Sequence, residues 1–211
     1  AACAFVRETM QHDLAERLYQ NGISREKFKV NVDITPVTTT DPEIININYD
    51  SVLSFDGMDG NQYVLPKVKV EVSGRSMNEP VSEIALDSMI NQIYPKAPFA
   101  EQKFMVRAVL PERTFLEKVF LLHEEFAKPK DLIRVERMSR HMYDIGQMLK
   151  TPIAERAIND ADLYRQVVEH RRTFIGLRGF DYDTLYPATL NIIPPTSVIE
   201  QWKADYENMR L

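Results

Sequence analysis

Apolar residues recur along this chain with two different periods, and the change from one to the other falls at Pro111. Ahead of it, Phe28, Val30, Val32 and Ile34 alternate with polar positions, so 28–34 reads as a half-buried strand. Residues 44–49 alternate less strongly and read as a second strand, with Asp41-Pro42 as the turn before it. The alternation is clearest over 63–72, where Val68, Val70 and Val72 point to one face and Lys67, Lys69 and Glu71 to the other. Pro66 has no backbone N–H, which places the early part of this segment at a sheet edge or in a bulge. Between these strands 55–61 carries Gly and Asp and reads as a turn. Phe104–Val109 is a further strand. The helical period appears twice in this half. Phe5, Met10, Leu14 and Leu18 mark a helix over 5–21 that Gly22 stops, and 82–93 reads as a short helix broken by Pro95 and Pro98.

From Pro111 onward the pattern is helical. Proline suits a first helical position, and Phe115, Val119, Leu122 and Phe126 then form an apolar stripe. A second helix is expected over 131–149 and a third over 160–177. Ser197 and Glu200 have the spacing of a capping box ahead of a last helix with Trp202, Tyr206 and Met209. Strands first and helices afterwards predict an α+β domain over 1–110 and a helical portion over 111–211.

Composition narrows the function classes. The chain has 211 residues and a net charge of −5, so a general electrostatic nucleic-acid binder is excluded and any nucleic-acid contact requires a local basic patch. Cys3 is the single cysteine; no internal disulfide can form, which fits a reducing cytoplasm. No apolar run approaches the ~20 residues that span a bilayer. Residues 1–20 lack the basic start and apolar stretch of a signal peptide, and the chain opens at or inside its first helix.

Three groups of residues could carry chemistry. Lys118 lies about 60° off the Phe115 direction, on the flank of the apolar stripe. Its stem either covers the core edge with the ammonium in water, or anchors a point charge directed at a phosphate. Arg137, Arg140, His141 and Asp144 share one side of the 131–149 helix at offsets of three, four and seven, opposite Met138, Met142, Ile145 and Leu149. They form either a solvated face with an Arg140–Asp144 pair, or an arginine pair for phosphate with Asp144 orienting a lysine or arginine. Glu71 is either part of an exposed strand face or a carboxylate that holds a metal ion from a sheet. His12, His123 and His170 lack ligand spacing and read as structural or surface residues. Asp160-Ala161-Asp162 and Asp181-Tyr182-Asp183 match Asp-x-Asp but follow no strand-and-glycine turn, and read as unrelated to a metal site.

Three segments together resemble a known family. They are Val68-Lys69-Val70-Glu71-Val72, then Leu110-Pro111-Glu112-Arg113-Thr114-Phe115-Leu116-Glu117-Lys118 with His123-Glu124-Glu125, then Arg137-x-x-Arg140-His141-x-Tyr143-Asp144. They look like the AbiEii/AbiGii-type nucleotidyltransferase toxins of the DNA polymerase β-like superfamily. Trp202-x-x-Asp205-Tyr206-x-x-Met209 is similar to that family's C-terminal helix. The resemblance implies a nucleotidyltransferase-like mixed sheet with flanking helices and a helical C-terminal portion. It implies Mg2+-dependent transfer of a nucleotide from an NTP to an acceptor, often the 3′ end of a tRNA, with a separate antitoxin as partner. By position, Glu71 would complete the metal site and Lys118 would contact the triphosphate. Asp144 would be the carboxylate of the later helical motif, with Arg137 and Arg140 near phosphates. Many relatives have an aspartate where this chain has His141, which leaves the role of His141 open.

The family's Gly-Gly-Thr or Gly-Ser turn followed by Asp-x-Asp, the source of its main metal ligands, has no counterpart here. The expectation is therefore that further residues precede Ala1 in the complete protein, and that 1–211 alone transfers no nucleotide. Metal-dependent labelling of RNA by purified 1–211 would refute it. Two other readings stay open: a non-catalytic nucleotide- or protein-binding module on a degenerate scaffold, and a phosphotransferase acting on protein hydroxyls. For tRNA the candidate surface is Arg134, Arg137, Arg140, Arg165, Arg171 and Arg172, interspersed with Glu136, Asp162 and Glu169.

Overall fold

A computed structural model describes residues 4–32, 43–51, 65–74 and 80–210. The turns expected at 41–42 and 55–61, and the starts of the expected strand 63–72 and end of 28–34, lie outside these residues. The chain divides into two compact units, Ala1–Ser76 and Met77–Leu211. The α+β class expected from the sequence is the class observed, with small sheets, flanking helices and a helical second half.

In the first unit, a π-helical turn Phe5–Met10 runs into helix α1, Gln11–Gln20. Strands β1 Phe28–Val32, β2 Glu43–Tyr49 and β3 Lys67–Val72 form an antiparallel sheet in the order β1-β2-β3. Ile45 opposes Val70 and Ile47 opposes Val68, so the valine face expected from the alternation continues across β2. The helical segment lies on this face. Gln11 donates to the Val30 carbonyl at 3.0 Å, and Arg7 makes a two-pronged pair with buried Glu43 at 2.8 and 3.0 Å. Ile45 at the centre is fully buried. Glu71 stands opposite Ile44 and therefore points to the other face, away from the helix.

In the second unit, β4 Val81–Leu86 and β5 Phe104–Val109 make an antiparallel ribbon, joined through α2, Met89–Ile93. The helix expected over 82–93 is corrected here. Its first half is β4, because each residue from Val81 to Leu86 has a partner on β5; Ser88 caps the remaining five-residue helix by accepting from the Asn91 N–H at 3.0 Å.

The helical core follows. It comprises α3 Pro111–Phe126, α4 Ser139–Met148, α5 Ile153–Asn159, α6 Ala161–His170 continued by a π-helical turn Arg171–Ile175, and α7 Ile199–Met209. Phe115, Leu116, Val119, Phe120 and Leu122 of α3 pack with Ile145, Ala157, Leu163, Val167 and Trp202. Burying side chains of this size contributes about 1.5–3 kcal/mol each before the entropy cost. Two helices differ from expectation. The one expected over 131–149 begins only at Ser139, and α5 was not foreseen. In addition, Ser197 does not cap α7, whose N-cap position is Val198 with no side-chain bond.

Candidate functional site

Helix α3 sends its apolar residues into the core and leaves Lys118 on the flank of that stripe. Lys118 extends from that flank to α4, where its Nζ donates to Asp144 Oδ2 at 2.7 Å. The two residues are 26 positions apart, so helix packing makes the pair rather than local spacing. Of the two partners weighed for Asp144, the structure selects the lysine over Arg140. The pair is part-exposed, with 22% of the Lys118 side chain and 43% of Asp144 accessible, so solvent and an incoming ligand reach it.

Arg140 is exposed on the same helix and has no hydrogen-bond or ion-pair partner among the described residues. His141 lies between it and Asp144 in the turn. Burial, then the Lys118 and Arg140 cations, push its imidazole down to about 4, against a smaller opposing effect of Asp144. It is therefore neutral at pH 7, and its Nδ1 is buried with no hydrogen-bond partner among the described residues. The result is a neutral ring set among fixed charges.

Arg137 is placed differently from expectation. It precedes α4, with its backbone in the left-handed region at φ 59°. The cause is Asp205 of α7, which is 6% exposed. Its Oδ1 accepts from the Arg137 N–H at 2.6 Å, and its Oδ2 accepts from the Ser139 N–H at 2.9 Å and the Ser139 hydroxyl at 2.5 Å. A carboxylate from another helix thus caps α4, satisfying an N–H that the helix start would leave orphaned and placing negative charge at its positive end.

Glu125 fixes the preceding loop. It is 1% exposed, and accepts from the Arg134 N–H at 2.7 Å, from the Arg134 guanidinium at 2.8 and 2.6 Å, and from Lys128 at 2.8 Å. Burial alone would raise the pKa of this carboxyl; the donated bonds and the Arg134 charge outweigh it and hold it below the ordinary value. A continuous 131–149 helix would forgo these bonds.

A third set of buried charges braces α3. Arg171 donates to both carboxylate oxygens of Glu124, at 2.7 and 2.6 Å, and also binds Glu117, the residue before Lys118. This corrects the proposed RNA surface: Arg171 is buried in a structural network and is not presented to a ligand. Of the same surface, Arg134 is spent on Glu125, Arg165 pairs with Asp162, and Arg172 pairs with Asp183. Both Asp-x-Asp matches are local devices: Asp160 caps α6 through the Leu163 N–H, and Asp181 accepts from the Asp183 N–H. His123 is structural as expected. The Asn191 N–H donates to its Nδ1 at 3.0 Å, its Nε2 faces Thr184 Oγ1 at 3.1 Å, and burial lowers its pKa.

Glu71 belongs to the first unit and pairs with Lys69 at 2.6 Å on an exposed face. Among the described residues, no group of three or more His, Cys, Asp or Glu side chains comes together as a metal site. A groove of about 560 Å³ opens between α4 and α7, lined by Met142, Tyr143, Trp202 and Tyr206 among others; Lys118, Arg140 and Asp144 do not line it.

Sequence reasoning missed Asp205 and the Glu117–Arg171–Glu124 network. A signal for Asp205 existed: at three residues past Trp202 and beside Tyr206, an acidic residue falls on the apolar face of α7 and must find donors there.

A family model described as the nucleotidyl transferase AbiEii toxin of type IV toxin–antitoxin systems matches residues 3–211. No curated protein and no solved structure matches the chain. Among the described residues, no helix is long and apolar enough to cross a membrane.

Proposed function

The chain belongs to the nucleotidyl transferase AbiEii toxin family of type IV toxin–antitoxin systems, and on that premise we propose that it carries the triphosphate-binding half of a site that moves a nucleotide from an NTP to an RNA 3′ hydroxyl, tRNA included. One observation supports this reading above the rest: the Lys118–Asp144 pair at 2.7 Å, which joins two of the resembling segments across the helical core. Phosphoryl chemistry asks a protein mainly for positioning and charge stabilisation. Lys118 supplies a point charge on a stem held by α3, and Asp144 orients the ammonium. Arg140, exposed and without a carboxylate partner, reaches a phosphate oxygen as a bidentate donor. Arg137 stands at the head of the same helix and contributes a second guanidinium.

We assign Glu71 as a protein carboxylate for Mg2+, an ion that commonly takes one or two carboxylates and completes its shell with substrate phosphates and water. Glu71 is exposed and pairs with Lys69, itself exposed, a contact that a bound cation would replace. Family membership implies an antitoxin partner, and we place the toxin in the cytoplasm, where NTPs and RNA are found.

Lys118→Ala and Asp144→Ala in the full-length protein test the reading. Each is expected to abolish transfer of label from NTP to RNA while the protein stays folded, because a part-exposed pair contributes no more than about 1 kcal/mol of stability. Unchanged turnover in either variant refutes the assigned roles. Mass spectrometry of the product separates a nucleotide adduct on RNA from a phosphate on a protein hydroxyl, the outcome expected of a phosphotransferase.

A further inference from the structure

The segment ahead of α4 has two structures open to it. Leu132, Ile133, Val135 and Met138 carry apolar spacing compatible with a helix that runs unbroken into 139–149. The observed structure instead breaks at Arg137, whose left-handed backbone costs about 1–2 kcal/mol for a residue other than glycine. That conformation is held by the Asp205 carboxylate, which is buried and takes three hydrogens from Arg137 and Ser139.

The choice between the two structures decides where the cations sit. In a continuous helix, Arg137 would stack one turn behind Arg140 and His141 on a single stripe. In the observed structure the chain turns at Arg137, and the stripe starts at Arg140. The far part of α4 does not depend on this choice. Ile145 is buried in the core at 2% exposure, and Asp144 is held by Lys118.

We propose that Asp205 is a positioning residue for anion binding: its carboxylate fixes the break at Arg137 and so makes the cationic stripe of α4 begin at Arg140, which it sets against the phosphates of the nucleotide, while Lys118 and Asp144 are positioned independently of it. The proposal rests on the nucleotidyltransferase reading above. It assigns a function to α7, through the bonds that Asp205 makes to the start of α4.

The test is Asp205→Asn in the purified full-length protein, with Mg2+ and each of the four labelled NTPs, together with amide hydrogen exchange. Asparagine keeps the size but offers one acceptor and an NH2 group that opposes the N–H groups it faces. Loss of ground-state phosphate contacts raises KM with little change in kcat, so KM for NTP is expected to rise about tenfold with kcat held within about threefold. Amides of 137–141 are expected to exchange about tenfold faster, with those of α3 unchanged. Asp205→Glu, which retains both oxygens one methylene further out, is expected to fall between wild type and Asp205→Asn. Lys203→Ala, exposed on the same helix, is expected to match wild type in every measurement.

A folded Asp205→Asn protein with wild-type KM and wild-type exchange at 137–141 overturns the proposal. So does a loss confined to kcat. Should Asp205→Asn fail to fold, Asp205→Glu decides by the same two measurements. A wild-type protein that transfers no nucleotide from any of the four NTPs overturns the functional reading and this proposal with it, whereas an active wild type with an unaltered Asp205→Asn overturns this proposal alone.

Discussion

Replacing Arg171 with methionine separates the two roles open to this residue. As a member of an RNA-binding surface, Arg171 would matter to RNA and little to folding. The structure makes it a buried partner: the Arg171 and Glu124 side chains are 7% and 5% exposed, joined by two hydrogen bonds, with Glu117 as a second carboxylate. Arg171→Met removes the side-chain partner that Glu124 has among the described residues and leaves that carboxylate buried. Glu117 retains Arg113 at 3.6 Å, so the cost concentrates on Glu124. Removing one member of a buried pair costs about 3–5 kcal/mol, against about 0–1 kcal/mol for a surface pair, so the two cases are well separated. At about 2–4 °C per kcal/mol for a chain of this size, the melting temperature should fall by roughly 6–20 °C. The assay is urea and thermal unfolding of the single variant and of Arg171→Met/Glu124→Leu. Removing both charges is expected to restore most of the loss, because buried pairs replaced by apolar residues are commonly neutral or better. A loss under about 1 kcal/mol in the single variant, or a double variant no more stable than the single, would refute the reasoning.

Glu125 gives a pH dependence with a definite sign. Its folded pKa lies below its unfolded value near 4.5, so its stabilisation is complete above that value and is lost as pH falls through the folded pKa. Unfolding followed in urea should show stability dropping on acidification, and Glu125→Gln should be less stable at pH 7 with a flatter acid limb; an unchanged acid limb sinks this account. The His141 ring signals in an NMR titration should move with a midpoint at about 4, so His141 contributes no activity step near neutral pH; a midpoint close to 6.5 contradicts the burial described. At Arg137, glycine relieves the left-handed backbone and valine strains it, so Arg137→Gly should melt at or above wild type and Arg137→Val below it, by about 1–2 kcal/mol. Equal melting temperatures for the two would remove the case for strain there.

What the sequence disclosed follows from how local each determinant is. The valine alternation on β3 and the apolar stripe of α3 are periodic signals within one element, and both appear in the structure as read. Residues 82–86 misled because Val81, Ile84 and Ala85 imitate a helical face; the strand is decided by β5, about twenty residues away, which periodicity does not sense. The start of α4 misled for a similar reason, since Glu125 and Asp205 lie outside the segment whose backbone they hold. Helix α5 sits just after Pro152, and its seven residues are too few to establish a stripe. At the candidate site, the residue types were legible but their partners were not. Lys118 and Asp144 meet, as a lysine–carboxylate pairing in that set allowed, whereas Arg171 looked identical to its exposed neighbours until Glu124 and Glu117 were placed around it. Charge type is written in sequence; desolvation is a property of the packed chain.

The bond between Asp205 and Ser139 spans 66 residues. A ribosome adding about 5–20 residues per second needs roughly 3–13 s to cover that stretch. During this interval the nascent chain comes to hold Lys118, Arg140 and Asp144 but lacks the acceptor that caps the start of α4 at Ser139. The geometry of the cationic turn is therefore completed only once α7 has been synthesised and can bring Asp205 back to Arg137 and Ser139.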